Sequence, residues 1–432
     1  MEEYQKGEII VKGKTKEGYE VINYPNLIIF KSKDDITAFN DPKFTKQFKG
    51  KGEYSTNTTS RVFELLRESG IPVAYVKQLN EREFLAKKTK MILLEAVVRR
   101  LAIGSYTGRF PWKREDPPLR FHRLITEYFL KTTDGGLEIA GEKLISGLNP
   151  EIDDPFIFNP SEDNWKLFHP KKIPYDNEAD LKLEINSEKI LMNKTLNKFD
   201  EILRKTFLVL EGAFGGFGYR FADLKIEFGI TAEEELVVSD VIDADSWRLL
   251  SRDWQSFSKQ AFRDGESLNE IEKKYEKIAD LVSRFHIPRQ ALVIWRGSEN
   301  DEFDWPENLP GVNIVTVEMS GHKKTNMSLN KLEEIMRDYP DGGVIIVKVG
   351  RSNGLGPVLS AHTNWPVISV PADWENKPGN IWSTIDMPSK MPMLASLYDK
   401  NAILAAYDIL AQKNPALYMR RRYEIEKLDI EY

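Results

Sequence analysis

The 432-residue sequence predicts an α+β region built on antiparallel strands, followed by an α/β domain on a parallel sheet. Three observations predict this. The stretch "IIVKGKTKEGYEVINYPNLIIFKSKDDITAFND" alternates apolar segments with Gly and Asn-Pro turn signals, the pattern of a β-meander. After "HIPRQ" the composition resets: "ALVIWRGS", "NIVTVEMSGH", "GGVIIVKVG" and "WPVISVPAD" are four apolar strands, each ending in a polar or Gly-rich loop. The chain is also too long for one ordinary core. The boundary is placed near His286 to Pro288, giving domains 1–286 and 287–432.

The elements follow in order. "TNTTSRVFELLRESGIPV" reads as a helix, with Thr/Ser caps, Phe63 and Leu66 on one face and Gly70 as its stop. "KMILLEAVVRRLAIGSY" reads as a strand that exits into a polar loop. From "EDPP" at 115 to "HPKKIP" at 169, the density of Pro, Asp and Asn predicts long connections. "EKILMNKTLNKFDEILRKTFLVL" has helical periodicity. "FADLKIEFGI" and "ELVVSDVID" read as paired strands around the turn "TAEEE". Ile271, Tyr275, Ile278, Val282 and Phe285 recur at helical spacing on a charged helix. "GVIIVKVG" reads as a strand buried on both faces. It runs into Gly350, Arg351, Ser352, Asn353 and Gly354, where glycines let the backbone approach a ligand. The stretch from Glu302 to Asn313 is too short and proline-broken for a helix between the first two of these strands.

Composition narrows the chemistry. The chain has no cysteine, which excludes disulfides, thiolate catalysis and cysteine-ligated zinc. A net charge of −6 argues against nucleic acid as a partner. No apolar run has the length of a membrane span, and "MEEYQKGEII" has no signal-peptide core, so a cytoplasmic protein is expected.

The residues that can carry chemistry cluster in a few motifs. Gly13, Lys14 and Lys16 occupy a turn between strands, where amides and ammonium groups can face a polyphosphate. On one strand Asp223, Lys225 and Glu227 share a face, opposite Leu224 and Ile226. Asp240, Asp243, Asp245 and then Arg248 follow on the neighbouring strand and turn. Carboxylates gathered without cysteine or histidine suit Mg²⁺, and the basic groups suit phosphate or carboxylate. Arg99, Ser105 and Arg109 are further anion-binding candidates.

"GKTKEGYEV", "SKDDITAFND", "LLEAVVRRLAIGSYTGR", "DLKIEFG" and "SDVIDADSWRLL" resemble, in that order, phosphoribosylaminoimidazole-succinocarboxamide (SAICAR) synthetase over residues 6 to 285. "RGSEND", "SGHKK", "GRSNGLGPVLSAHTNWPVIS" and "IWSTIDMPS" resemble phosphoribosylaminoimidazole (AIR) carboxylase of the animal type. The resemblance implies a two-lobed α+β, ATP-binding synthetase fold, then a three-layer, flavodoxin-like carboxylase domain. It implies a bifunctional purine-biosynthesis enzyme. AIR is carboxylated with CO₂, without biotin, to carboxyaminoimidazole ribonucleotide (CAIR). ATP and L-aspartate then convert CAIR to SAICAR through an acyl phosphate. The alternative is a synthetase whose second half is an assembly module.

The resemblance also implies roles. Gly13, Lys14, Lys16 and Glu95 would bind ATP, Glu95 at the adenine end, and Glu227 and Asp240 would hold Mg²⁺. Asp223 and Lys225 would be catalytic, and Arg99, Ser105, Arg109, Asp245 and Arg248 would hold CAIR. In the second half Gly297, Ser298, Asp301 and the loop 350–354 would bind AIR and CO₂, with His322 as proton acceptor and Lys323 beside it. A homo-octamer is implied as well. The chain departs from the carboxylase pattern at Asn300, which replaces a serine, and at Thr325-Asn326, where Pro-Asp is usual. His362 stands where small or amide residues are common. The 149–186 connection is longer than the animal enzyme's, and its Asp154-Pro155 resembles a segment of single-function bacterial synthetases.

Overall fold

The computed structural model describes residues 4–37, 45–139, 141–149, 152–258, 265–350 and 352–428. The chain divides into two compact units, one of Met1–Phe285 with Ile425–Tyr432, the other of His286–Glu424. Among the described residues, no helix is long and apolar enough to cross a membrane.

The first unit opens with a five-stranded antiparallel sheet. Its order is Lys6–Lys12, Lys16–Val21, Leu27–Ser32, Glu83–Lys87 and Tyr75–Asn80. The meander signals correspond to its first three strands. The helix Lys51–Glu68 begins earlier than its Thr and Ser residues suggest, after Gly50 at φ 93°. Thr56, Thr58, Thr59 and Ser60 are therefore not caps. They lie on a buried face, where the Thr56 hydroxyl donates to Ser32 Oγ at 2.8 Å. Gly70, at φ 82°, follows the helix end as expected.

The second sheet of this unit has eight strands. Within the 115–169 stretch, read as long connections, it places strands as well. Arg120–Leu130 pairs with Lys90–Leu101, and Phe156–Ile157, Asn164–Phe168 and Asp180–Asn186 extend the sheet beyond it. The turn-forming residues lie between these strands, and "FHRLITEYFL" is itself apolar enough to be central. The expected helix around residue 190 is two helices, Ser187–Leu191 and Leu196–Gly216. Met192 and Asn193, at φ 47° and 62°, break it.

One local arrangement builds the site. The long strand Arg220–Ile230 pairs along one edge with Lys90–Leu101. Its other edge is shared: Trp247–Leu250 covers residues 220–224, and Leu236–Ser239 covers residues 227–230. The chain between those two short strands, 240–246, crosses at Lys225, whose backbone N–H donates to the Ser246 carbonyl at 2.8 Å. The acidic segment is thus delivered to the middle of the strand that carries Asp223, Lys225 and Glu227.

The second unit has a five-stranded sheet, all parallel, in the order Val312–Glu318, Gln290–Arg296, Gly343–Val349, Val367–Pro371, Leu394–Ala395. Apolar clusters bury both faces: Leu292, Ile294 and Ile346 on one, Val293, Trp295 and Val347 on the other. That is why these strands read as continuous apolar runs. Helices Thr325–Asp338, Leu355–Ser360, Gly379–Ile385 and Asp399–Leu410 accompany the later strands. Among the described residues none separates the first two, as their spacing predicts.

Candidate active sites

Strand register assembles a charged face in the first unit. Asp223 sits opposite Arg99, Lys225 opposite Val97, and Glu227 opposite Glu95. On the next strand Glu127 sits opposite Val97 and Phe129 opposite Glu95. Residues opposite one another in an antiparallel pair share a face, so these groups form one surface. Arg99 is almost fully buried. It donates to Asp223 at 2.5 Å, to Glu127 at 2.6 Å and to Ser105 at 3.1 Å. Arg248 also donates to Asp223. Its guanidinium lies against Gly104, at φ 63°, where a Cβ would overlap it.

Beside this pair, Lys225 donates to Glu95 at 2.5 Å. Burial alone would lower the Lys225 pKa, but Glu95 and Glu227 outweigh it and raise it. Glu95 is therefore part of the charged surface. Glu227 accepts from Lys131 at 2.5 Å. Burial would raise its pKa, but Lys131 and Lys225 hold it low. Lys16 pairs with Asp240, a residue at φ 64°. Burial pulls the Lys16 pKa down to about 8, against the pull of Glu227. Gly13 N–H donates to the Lys16 carbonyl at 2.9 Å, closing a hairpin whose exposed tip is Lys14.

Three residues here received no role from sequence reasoning. Glu127 belongs to the strand Arg120–Leu130, hidden among turn-forming residues, and Lys131 follows directly after it. Asp154 exchanges hydrogen bonds with Thr132, at 3.0 and 3.1 Å, and sits at φ 57°. Burial and then Glu95 push its pKa up to about 6. Its Asp-Pro dipeptide was the only available signal.

Two expected substrate contacts are committed elsewhere. Arg109 has no exposed surface: it donates to Glu127 and to the Pro170 carbonyl, and its guanidinium lies 5.1 Å from the Phe129 ring centre and 4.7 Å from that of Phe156. It is a core cation, because the strands that bury it come from the region read as connection. Asp245 accepts from Lys51 at 3.3 Å and from Tyr275. The neighbouring Asp243 accepts from Ser55, and its pKa is raised by burial and by Asp245. Both aspartates fasten the 240–246 segment to the helix Lys51–Glu68 and to Tyr275.

Among the described residues, no three His, Asp or Glu side chains converge tightly enough to hold a metal on their own. Glu227 and Asp240 nevertheless fit Mg²⁺, which binds through one or two carboxylates together with substrate phosphates. Each already faces a cation, Lys131 or Lys16.

In the second unit the candidates lie where strands end. His322 is exposed, with Nε2 3.5 Å from Ser352 Oγ, and its ring lies on Gly354, where a Cβ would overlap it. Asn353 is buried and fixed, donating to Ser369 Oγ at 2.8 Å and accepting from Gly356 N–H at 2.9 Å. It shapes the loop. Lys323 is exposed, and its backbone N–H donates to Ser320 Oγ at 3.4 Å. Gly297 N–H donates to the Lys348 carbonyl at 3.2 Å, and Asp301 N–H to the Ser298 carbonyl at 3.1 Å. Burial raises the Asp301 pKa. Asn300 N–H donates to Ser298 Oγ at 3.3 Å. Gly350 closes its strand, and its carbonyl accepts from Ser383 at 3.3 Å. Arg351 lies outside the described residues. His362, in the turn after the helix Leu355–Ser360, has Nδ1 2.8 Å from the Val358 carbonyl of that helix.

Comparison with known proteins adds a separate line of observation. Residues 9–148 and 171–282 match the family model of SAICAR synthetase, and residues 309–428 that of AIR carboxylase. The second match begins after Gly297, Ser298 and Asp301. The chain is 31% identical over 448 residues to a bifunctional phosphoribosylaminoimidazole carboxylase/phosphoribosylaminoimidazole succinocarboxamide synthetase of Drosophila melanogaster, covering 98% of this chain and 93% of that protein. It is 30% identical over 445 residues to the Homo sapiens protein of that name, covering 97% and 93%. Among solved structures, a phosphoribosylaminoimidazole-succinocarboxamide synthase from Ehrlichia chaffeensis aligns at TM-score 0.49 and 24% identity, over 65% of this chain and all of that one. Treponema denticola PurE aligns at TM-score 0.29 and 21% identity, over 33% of this chain and 95% of that one.

Proposed function

Because the chain belongs to the family of bifunctional phosphoribosylaminoimidazole carboxylase/phosphoribosylaminoimidazole succinocarboxamide synthetases, we propose a division of labour among its residues. The enzyme carboxylates AIR to CAIR and condenses CAIR with L-aspartate to SAICAR. The observation that carries the residue roles is the register-matched row of Asp223, Lys225 and Glu227 against Arg99 and Glu95.

In the synthetase step, the CAIR carboxylate takes the γ-phosphoryl group of ATP, giving an acyl phosphate and ADP. The aspartate amine attacks the acyl carbon, and inorganic phosphate leaves. Gly13, Lys14 and Lys16 hold the ATP phosphates. Arg248 and Ser105 orient CAIR, and the buried Arg99 fixes Asp223 between two guanidinium groups. Lys225 steadies the carboxylate being activated. Asp154, beside Glu95 and Lys225, accepts the proton that the amine loses. Glu227 and Asp240 would hold Mg²⁺, which neutralises charge on the transferring phosphoryl group when bound.

The carboxylase step asks less of the protein, because the aminoimidazole carbon is itself the nucleophile. Orientation, a dry CO₂ pocket and one proton acceptor suffice. His322 is the acceptor. Ser352 and the backbone at Gly354 fix its ring, and Lys323 faces the new carboxylate. Gly297, Ser298 and Asp301 bind the phosphate end. CO₂ is used directly, without biotin. The protein acts in the cytoplasm, as a homo-octamer, with no nucleic-acid or membrane partner. Exposed apolar side chains on the second unit, Trp382, Ile385, Leu394 and Tyr398, support burial against further copies. A monomer in light scattering at micromolar concentration would refute the assembly.

The decisive experiment incubates the full chain with AIR and bicarbonate, with and without ATP and aspartate. CAIR is expected in both mixtures and SAICAR only in the complete one, with EDTA stopping SAICAR alone. If wild type makes SAICAR from supplied CAIR but no CAIR from AIR, the second unit is an assembly module.

A further inference from the structure

The strand ladder beside the charged row of the first unit is broken at one point, and a residue from the far end of the chain fills the break. Arg99 pairs with Ile125, but Leu101 pairs with Arg120, so residues 121–124 bulge out opposite Arg100. Backbone groups in such a bulge lose their ladder partners and need others. Arg100, 2% exposed, donates to the Phe121 carbonyl at 3.1 Å and to the His122 carbonyl at 2.6 Å. The Leu124 N–H donates to Glu426 Oε2 at 3.0 Å. Arg100 Nη2 donates to Glu426 Oε1 at 2.6 Å, which joins the two. Glu211 accepts from Arg100 Nε and Nη2 at 2.7 and 2.9 Å.

Glu426 is 4% exposed and stands 302 positions from Leu124. It lies in the last turn of the helix Pro415–Leu428, whose residues from Ile425 on belong to the first unit. Burial alone would lower the Arg100 pKa, but Glu211 and Glu426 outweigh it and raise it. Removing one member of such a buried set leaves the other charge poorly matched.

The break is flanked by groups of the synthetase site. On one side Ile125 re-enters the ladder two positions before Glu127, which accepts from Arg99 at 2.6 Å. On the other, Leu101 leads to Gly104, which lies against Arg248, and to Ser105, whose hydroxyl accepts from Arg99 at 3.1 Å. Where the bulge sits therefore decides how Arg99 is held, and through it Asp223.

We infer that Glu426 is a positioning residue of the synthetase site: by filling the break in the ladder it keeps Glu127, Arg99 and Ser105 in line with Asp223. The inference rests on the roles proposed above for Asp223 and Ser105. It gives the synthetase a residue far outside the segments that match the synthetase family model, the last of which ends at residue 282.

The test measures SAICAR formation from supplied CAIR in the full chain, with CAIR and ATP varied separately. Glu426→Gln places an amide NH₂ against Arg100 or the Leu124 N–H, both of them donors. Its kcat/KM for CAIR is expected to fall by about 10²-fold, the cost of a misplacement of about 1 Å. The KM for CAIR should rise while that for ATP stays within about twofold, and AIR carboxylation should not change. Mere loss of folded protein would lower kcat and leave both KM values in place. Glu426→Asp keeps the charge beside Arg100 but is one methylene too short to reach Leu124 as well. It should raise the KM for CAIR in the same direction, and it carries the test if Glu426→Gln does not fold. Glu424→Gln, on the same helix but paired with Arg420 and Arg421, should behave as wild type. An unchanged KM for CAIR in the Glu426 variants, an equal rise in Glu424→Gln, or parallel rises in the KM for CAIR and for ATP would each overturn the inference. If Asp223→Asn impairs synthesis and the Glu426 variants do not, the inference alone fails. If Asp223→Asn is also unimpaired, the reading of the site fails with it.

Discussion

Asp223 accepts hydrogen bonds from two guanidinium groups at once, that of Arg99 at 2.5 Å and that of Arg248. Arg99 is buried and Arg248 reaches the surface, so the carboxylate ties a fixed cation to one that can meet substrate. Asp223→Asn keeps the shape but removes the negative charge that both guanidinium groups pair with. Synthetase turnover with supplied CAIR is expected to fall by about 10²-fold, the effect of a small misplacement at a reacting centre. AIR carboxylation should not change. Unimpaired SAICAR formation by the variant would remove Asp223 from the mechanism.

Arg109 separates folding from catalysis. It is enclosed by Phe129 and Phe156 and paired with Glu127, so Arg109→Met should cost about 3 kcal/mol by leaving buried charge less well matched. Thermal unfolding of the first unit should come earlier. The KM for CAIR at a temperature where the variant stays folded should hold within about twofold. A large rise in that KM with unchanged stability would restore Arg109 to the substrate site.

Two shifted groups set opposite pH limits on the synthetase. Lys16 has its pKa lowered by burial from 10.5 to about 8, so in the nucleotide-free enzyme its charge is present below 8 and lost above it. The KM for ATP should rise at least about tenfold between pH 7 and pH 9, well below where an ordinary lysine titrates. Asp154 has its pKa raised from 3.8 to about 6, so it accepts a proton above 6 and is already protonated below. Log kcat/KM should therefore decline on the acid side near pH 6. Asp154→Asn should lower the plateau and abolish that decline; an acid limb that survives the substitution belongs to another group.

In the second unit, His322 and Gly354 are expected to fail together. His322→Asn should slow AIR carboxylation by roughly 10²–10⁴-fold, the usual contribution of a general base. Gly354→Ala, whose methyl would overlap the imidazole, should reproduce much of that loss by displacing the ring. SAICAR formation from supplied CAIR is the internal control for both. If wild type carboxylates AIR and His322→Asn does so equally well, the proton acceptor lies elsewhere. His362 is then the next to examine.

Legibility followed locality. Period-two alternation in "DLKIEFG" and the apolar runs of the second unit are properties of neighbouring residues, and the structure shows both. The destination of Arg109 was not legible, because it depends on Glu127, Phe129 and Phe156, which arrive from two other strands. Lys131 was missed for a related reason: the strand it follows, Arg120–Leu130, is bounded by Pro- and Asp-rich turns, which dominated the reading of that stretch. Thr56, Thr58, Thr59 and Ser60 resemble caps in sequence, but only the packing of Lys51–Glu68 shows that they face inward. Glu95 was expected at the adenine end, and the structure adds a contact to that expectation without deciding it. Its partner Lys225 is 130 positions away, so nothing local marks it as part of the charged surface.

The central strand pair of the first unit joins Arg99 to Asp223 across 124 positions of sequence. A ladder with that separation closes a long loop before it gains any pairing energy, which makes it slow to form. During translation, Lys90–Leu101 therefore emerges long before its partner Arg220–Ile230, leaving one edge of a strongly apolar strand unpaired. Arg120–Leu130 can shield the other edge early, but not this one. The newborn chain is thus most exposed to intermolecular strand pairing and to chaperone capture in this interval. The interval closes once residue 230 has been released into solvent.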